Sequence, residues 1–426
     1  MNTVDEKVVT FNSKWWDDFI SKTENLSKTT VFKNCLTIEE TKLMRKYLLD
    51  IIAELASMRT VDFGYRVFIE GVQQGYKSME KIYDLPPLED EDFEQWANRC
   101  FEDKKFGMII NRGEKFSPKL GQLVSNKILP LLDKIGIPRL GITFTIFIGN
   151  YGWTPIGIHT DAKGENVLHF HLGNGSKTMY TWDKEIYESL TTPIERINNV
   201  NVEPYIPYAN EFPYDEGDLY FMPQGEYHIG KSDDLSMGLT LWFNNHVKSA
   251  LSRRTIQVII DQFLQENDEI LALDKNDITD ISNFKESLDL FAIPDEMDGL
   301  TFKELLVEAY KEFRYSLYSN GGFWTRPFPK EQDYSFSLID IIEIEKPYLI
   351  YFHESLDKKN LHIYVRGSKI VLNNHKGIVK VVEEINRGTQ ISVEKLNNLL
   401  DKDWESSICF YILNLLYLHH GIKVIQ

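Results

Sequence analysis

Two histidines and an aspartate are spaced in this chain as a mononuclear metal site requires. His159 and Asp161 stand two residues apart at the end of the apolar run Gly157-Ile-His159-Thr-Asp161, where extended backbone sends both side chains to one side. His228 follows much later, after Gly217-Asp-Leu-Tyr-Phe-Met-Pro223-Gln-Gly225-Glu-Tyr. In that segment Gly217-Asp218 turns into a strand, Pro223 to Gly225 turns out of it, and His228 begins the next. Two imidazoles and one carboxylate suit Fe(II) and leave octahedral positions open, two for a chelating keto acid and one for dioxygen. An HxD pair alone is equally a surface histidine and a turn aspartate. The Gly-rich entry, the alternation and the later His-bearing segment favour the metal triad.

A keto acid with a distal carboxylate needs a buried cation, and an inward lysine is costly without such a partner. Lys177 follows the Gly173-Asn-Gly-Ser turn and is placed for that role, against the plainer reading of a solvated hairpin lysine. Thr154, Asn166 and Tyr151 are candidates to hydrogen-bond the keto acid or substrate, and Trp182, Trp242, Asn244 and Asn245 fall where a barrel mouth would be. His169 and His171 alternate on one strand and share a face. They form a rival His-x-His metal pair, but no well-spaced carboxylate follows them, so lining the pocket or the sheet surface is the expected role. No G-x-S-x-G or P-loop run occurs, which leaves hydrolase and NTPase readings without support.

The elements that must position these groups are short strands. From Ile142 the apolar period becomes two: Ile142–Ile148, Gly157–Asp161, Val167–Leu172, Lys177–Trp182, Asp218–Met222, Tyr227–Gly230 and Ser236–Phe243 read as strands. Such a series predicts an antiparallel barrel or jelly roll over roughly residues 140–245. Upstream, the spacing predicts a helix over 38–59, short strands at 30–33, 65–69 and 107–111, and a helix over 116–135 that Pro130 should interrupt or kink. Residues 247–322 are predominantly helical. Residues 323–426 combine helices with a hairpin over 361–372 and resemble a winged helix. The expected domains are therefore 1–246, 247–322 and 323–426, in an α+β chain.

Composition narrows the classes. No apolar run is long enough to span a bilayer, the first residues lack a signal-peptide pattern, and three scattered cysteines fit reduced thiols, so a cytoplasmic protein is expected. A net charge of −17 argues against nucleic-acid binding and is compatible with a basic polypeptide partner. Residues 325–426 carry 13 Lys+Arg and 13 Asp+Glu, so the winged-helix-like part has no basic face for DNA.

The run Gly-Trp-Thr-Pro-Ile-Gly-Ile-His159-Thr-Asp161, the strand opening at Lys177 and the segment Gly217-Asp to His228 resemble the JmjC-type cupin dioxygenases, closest to the ribosomal oxygenases. The Trp15-Trp-Asp-Asp-Phe opening, the helical middle and the C-terminal unit fit that family's layout too. The resemblance implies a double-stranded β-helix (cupin or jelly-roll) core. It implies Fe(II) held by His159, Asp161 and His228, and 2-oxoglutarate bound through Lys177. It also implies O2-dependent hydroxylation of an unactivated C–H on an amino-acid side chain of a protein or peptide. It further implies a homodimer formed through the helical segment and a terminal winged helix that does not read DNA. The stretch after Asp161 and the turn before Lys177 depart from the family pattern, which leaves a peptide natural product or small molecule open as substrate. A metal cupin that uses no keto acid, and a non-catalytic scaffold, are the competing classes. An intact triad disfavours the scaffold.

Overall fold

The computed structural model describes residues 10–425. They form two compact units: one runs to His246 and takes in Gly321–Pro329, and the other comprises Val247–Asn320 and Lys330 onward.

The first unit holds twelve strands among its described residues: β1 (Thr30–Phe32), β2 (Arg66–Ile69), β3 (Val72–Gln73), β4 (Phe106–Asn111), β5 (Ile142–Gly149), β6 (Gly152–Trp153), β7 (Glu165–Asn174), β8 (Lys177–Trp182), β9 (Asn210–Tyr214), β10 (Leu219–Met222), β11 (Tyr227–Ser232) and β12 (Ser236–Asn244). One sheet has the order β1-β10-β7-β12-β5-β4-β2-β3, the other β6-β11-β8-β9, and all pairings are antiparallel. From β5 to β12 the chain passes back and forth between the two sheets, so each sheet is built from residues distant in sequence.

One face of the larger sheet is covered by helices. Leu168, Phe170 and Leu172 of β7 are fully buried there, in the same core as Trp16, Phe19, Met44, Leu48 and Ile51. Helix Ile38–Met58 presents Met44, Leu48, Ile51, Ile52 and Leu55 at helical spacing. Its start is fixed by a capping box in which the Thr37 hydroxyl accepts from the Glu40 N–H and Glu40 accepts from the Thr37 N–H. Lys127 pairs with Glu40 and so joins this helix to Pro118–Ile135. The interruption expected at Pro130 does not occur; the helix is continuous. A proline there costs about 3 kcal/mol. Burial of Val124, Ile128, Leu131 and Leu132 around it offsets that loss, at roughly 1.5–3 kcal/mol per apolar side chain.

The expected strand over Gly157–Asp161 is also corrected. Gly157 has φ +81°, and a Cβ on it would fall 2.6 Å from the Asn199 carbonyl carbon. The chain therefore turns at Gly157 and touches neighbouring segments only at single bridges, Ile158 with Asn199 and His159 with His228.

In the second unit, helices Lys248–Phe263 and Phe302–Ser319 pack together. A three-stranded sheet of Tyr351–Glu354, Asn360–Val365 and Ser368–Asn373 contains the expected hairpin, turned by Arg366 and Gly367 at φ +47° and +82°. Helices Lys376–Asn386 and Ser406–Leu418 bury Val381, Val382, Leu413 and Leu416 in one core with Ile342 and Ile363. No described helix is long and apolar enough to cross a membrane.

Desolvation pushes the buried Glu114 carboxyl up to about 8. Its folded-state value lies above its unfolded value, so folding binds a proton and stability falls as pH rises from about 4.5 toward 8. Glu114→Gln removes this dependence: we expect the melting temperature of the variant to fall less than that of the unaltered chain between pH 5 and pH 8. Parallel melting curves would refute the assignment.

Candidate metal centre

His159, Asp161 and His228 come together between the two sheets, with one donor atom of each within 4.8 Å of the others. Backbone pairing sets this arrangement. The His159 N–H donates to the His228 carbonyl at 3.2 Å and the His228 N–H to the His159 carbonyl at 2.9 Å. In such a reciprocally bonded antiparallel pair both side chains project to one face, and the two rings lie 4.5 Å apart. Asp161, two residues on, brings Oδ1 to 3.8 Å from His159 Nε2 and Oδ2 to 3.8 Å from His228 Nε2.

The tautomers follow from the neighbours. His159 Nδ1 is 2.8 Å from the Gly157 carbonyl and His228 Nδ1 is 3.1 Å from the Glu226 carbonyl. A carbonyl only accepts, so each Nδ1 donates and each Nε2 turns its lone pair toward Asp161. Outer N–H groups anchored on backbone carbonyls are the usual support of metal-bound imidazoles. Burial lowers both histidines to about 4, which keeps them neutral at pH 7, and raises Asp161 to about 6. Asp161 Oδ2 is buried with no hydrogen-bond partner. Two neutral imidazoles and a desolvated carboxylate oxygen fit a divalent cation, which would supply the missing partner.

A cavity of about 420 Å³ opens from this cluster. Lys177 lines it, is buried, and has no carboxylate within ion-pair distance among the described residues. Its Nζ lies 5.4 Å from the Phe147 ring and 5.8 Å from that of Tyr151. Gly230 makes the room: a Cβ there would stand 3.0 Å from Lys177 Cε and 3.1 Å from Thr154 Oγ1. Thr154 lines the cavity as well, but its hydroxyl donates to the Gly230 carbonyl at 2.9 Å. Asn166 does not reach the site. Val167 and His169 of β7 face the cavity, so Asn166 faces the other way, where its Oδ1 accepts from the Gln224 N–H at 3.0 Å. Trp242 lines the cavity, whereas Trp182 is buried in a separate cluster with its indole N–H on the Tyr205 carbonyl.

A polar row crosses the cavity floor. In register, Tyr220 stands opposite His169, His169 opposite Thr240, Thr240 opposite Thr145, and Thr145 opposite Asn111. His169 Nδ1 is 2.8 Å from Thr240 Oγ1, while its Nε2 and the hydroxyls of Tyr214 and Tyr220 are buried without partners. Burial, reinforced by the charge of Lys177, holds His169 well below the usual histidine range. His171 Nε2 donates to the Gly175 carbonyl at 2.8 Å. Neither histidine joins a metal-sized donor cluster: among the described residues that description fits His159, Asp161 and His228 alone. Arg66, Arg112 and Asn111 also line the cavity. Sequence reading passed over them because they lie outside the motif region; the available signal was a single arginine within the apolar strand Arg66-Val-Phe-Ile.

The chain is 28% identical over 197 residues to a PKHD-type hydroxylase of Prochlorococcus marinus (strain AS9601), an alignment spanning 43% of this chain and 76% of that protein. Its structure is similar to that of YcfD, a ribosomal oxygenase from Escherichia coli solved with cobalt and 2-oxoglutarate. That match covers 96% of this chain and 98% of YcfD at 14% identity, with a TM-score of 0.46. It is also similar to SnoK, an alpha-ketoglutarate-dependent carbocyclase from nogalamycin biosynthesis, over 57% of this chain and 89% of SnoK at 14% identity and a TM-score of 0.31. No protein-family model matches the chain.

Gly238 lies against the floor histidine: a Cβ on it would sit 2.0 Å from His169 Cε1. Gly238→Ala should therefore destabilise the fold by about 1–3 kcal/mol through overpacking. His169→Ala in the same chain should restore most of the loss. A denaturation-monitored double-mutant cycle measures this, and additive losses would refute the contact.

Proposed function

We propose that this chain is an Fe(II)- and 2-oxoglutarate-dependent dioxygenase that hydroxylates an unactivated C–H on an amino-acid side chain of a protein or peptide. The observation that carries the reading is one cavity holding both a neutral His-Asp-His donor set and a buried lysine without an anionic partner. His159, Asp161 and His228 would hold the iron, which with a chelating keto acid supplies dioxygen activation. Lys177 would meet the distal carboxylate of 2-oxoglutarate; a buried cation and a buried anion each offset the other's desolvation. Thr154 contributes wall and, through its bond to Gly230, holds β6 against β11 beside Lys177. Phe147, Val167, Met179 and Trp242 give the cavity apolar walls that exclude water from the reacting centre.

The relative named as a PKHD-type hydroxylase supports the reading over the span it matches. The alternation of β5–β12 between two sheets supports a double-stranded β-helix core. We extend the proposal to the rest of the chain, apart from Gly321–Pro329, which belong to the first unit: residues 247–322 as a dimerisation segment and 323–426 as a winged-helix-like unit without a nucleic-acid role, in a cytoplasmic homodimer. The balanced charge of residues 325–426 supports the absence of a nucleic-acid role.

The test is anaerobic titration with Fe(II) and then 2-oxoglutarate, read by the weak visible charge-transfer band of keto-acid chelation. The band should form in the unaltered chain. Asp161→Ala should bind no iron and release no succinate, and full turnover in that variant would overturn the site. Lys177→Ala should need at least about tenfold more 2-oxoglutarate, because it leaves a carboxylate buried and unpaired. An unchanged requirement would move that role to another residue.

A further inference from the structure

The cavity carries two cations that the proposed chemistry does not use. Arg66, on β2, stands in register opposite Ile109, and Ile109 opposite Phe147. Cross-strand partners share a face, so Arg66 looks into the same space as Phe147 and Lys177, two strands or roughly 10 Å across the sheet from Phe147. Arg112 follows directly after β4, in the left-handed conformation at φ +59°, and lines the same wall with Asn111.

Neither guanidinium forms an ion pair or hydrogen bond with any described residue, and Arg66 Nε is buried with no partner at all. A buried N–H left without an acceptor is a standing cost that a bound acceptor removes. The acids nearby do not remove it. Glu114, two residues after Arg112, is buried and held at about 8, so it is mostly protonated at neutral pH. Glu165 is engaged by His246 at 3.3 Å and by the Ala162 N–H at 3.1 Å, and Asp161 belongs to the donor set. Lys177 is taken by the co-substrate in the proposed reading. Arg66 thus faces the cavity half-buried and Arg112 stands exposed at its edge, with Glu114 as the neighbouring acid and no ion pair to either guanidinium among the described residues, in a chain whose net charge is −17. Guanidinium forks match planar or tetrahedral oxyanions in a way a lone lysine does not.

We infer that the substrate carries an anionic group, a carboxylate or a phosphate, which Arg66 and Arg112 bind while the carbon to be oxidised lies toward His159, Asp161 and His228. The inference rests on the reading of the cavity as an oxygenase site. It reverses what the acidic surface suggests about partners: a basic polypeptide suits the exterior, but the interior of the site selects an acid.

The test uses the full chain loaded with Mn(II), which supports no turnover, and saturating 2-oxoglutarate. The N-acetyl amides of glutamate, phosphoserine, arginine and leucine are titrated into it calorimetrically. At least one acidic probe should bind about tenfold or more tighter than the arginine and leucine probes, and Arg66→Gln and Arg112→Gln should each erase that preference. Whichever of glutamate and phosphoserine binds tighter identifies the anion. Binding of the 2-oxoglutarate itself, titrated separately, should be unchanged in both variants. Equal or tighter binding of the arginine probe, binding of none of the probes, or an acid preference that survives in both variants overturns the inference. So does a parallel loss of 2-oxoglutarate affinity in the arginine variants, which would assign them to the keto acid. Failure of the unaltered chain to bind 2-oxoglutarate defeats the keto-acid reading instead, and the probes then report on the arginines alone.

Discussion

The site depends on two backbone hydrogen bonds between His159 and His228. They join segments almost seventy residues apart and fix which side chains project together, before any metal is considered. Around this bridge the chain gives up regular structure: Gly157 turns away from strand geometry, and Asp161 lies beyond the last pairing. The loss is what lets a carboxylate two residues from His159 place one oxygen toward each imidazole. A continuous strand would have paired these residues with neighbours and covered the approach.

Desolvation is the second organising constraint. The two sheets enclose a space in which Asp161 Oδ2, His169 Nε2, Tyr214 Oη, Tyr220 Oη and Arg66 Nε all lack partners. Each such group costs free energy when buried unsatisfied, on the order of 1–3 kcal/mol. A fold tolerates several together where ligands complete the network, and here they gather in or beside one cavity. The same burial keeps the histidines neutral and ready to bind a cation. Groups of this kind are spread over β2, β7, β9 and β10 and the loop after β6, so the cavity is a property of both sheets, not of any one motif.

Glycine placement ties the two constraints together. Gly230 leaves room for the Lys177 stem and Thr154, and Gly238 leaves room for the His169 ring. Both sit on strands that run through the cavity wall, where side chains of ordinary size would fill the space that ligands need. The pattern is a packing requirement and not a conformational one, since neither residue adopts a positive φ.

Much of this was legible in the sequence. The triad could be picked out because His159 and Asp161 are spaced by two after a Gly-rich turn and His228 stands at the start of β11 after the turn of Pro223 to Gly225, and two-residue periodicity placed β5, β7, β8 and β12 close to their observed limits. Lys177 was legible as an inward residue next to a hairpin turn. What periodicity could not settle was anything that depends on which strands become neighbours. Asn166 reads as a site residue until the face of β7 is fixed by Leu168 and Phe170 packing under the helices. Pro130 reads as a break until its helix is seen buried on both sides of it. Arg66 and Arg112 reach the site only because β2 and β4 extend the larger sheet beyond β5, a pairing made by hydrogen bonds between distant segments. Residue type and spacing determined which groups can do chemistry here; long-range strand pairing, which leaves no local trace in the chain, decided which of them share a cavity.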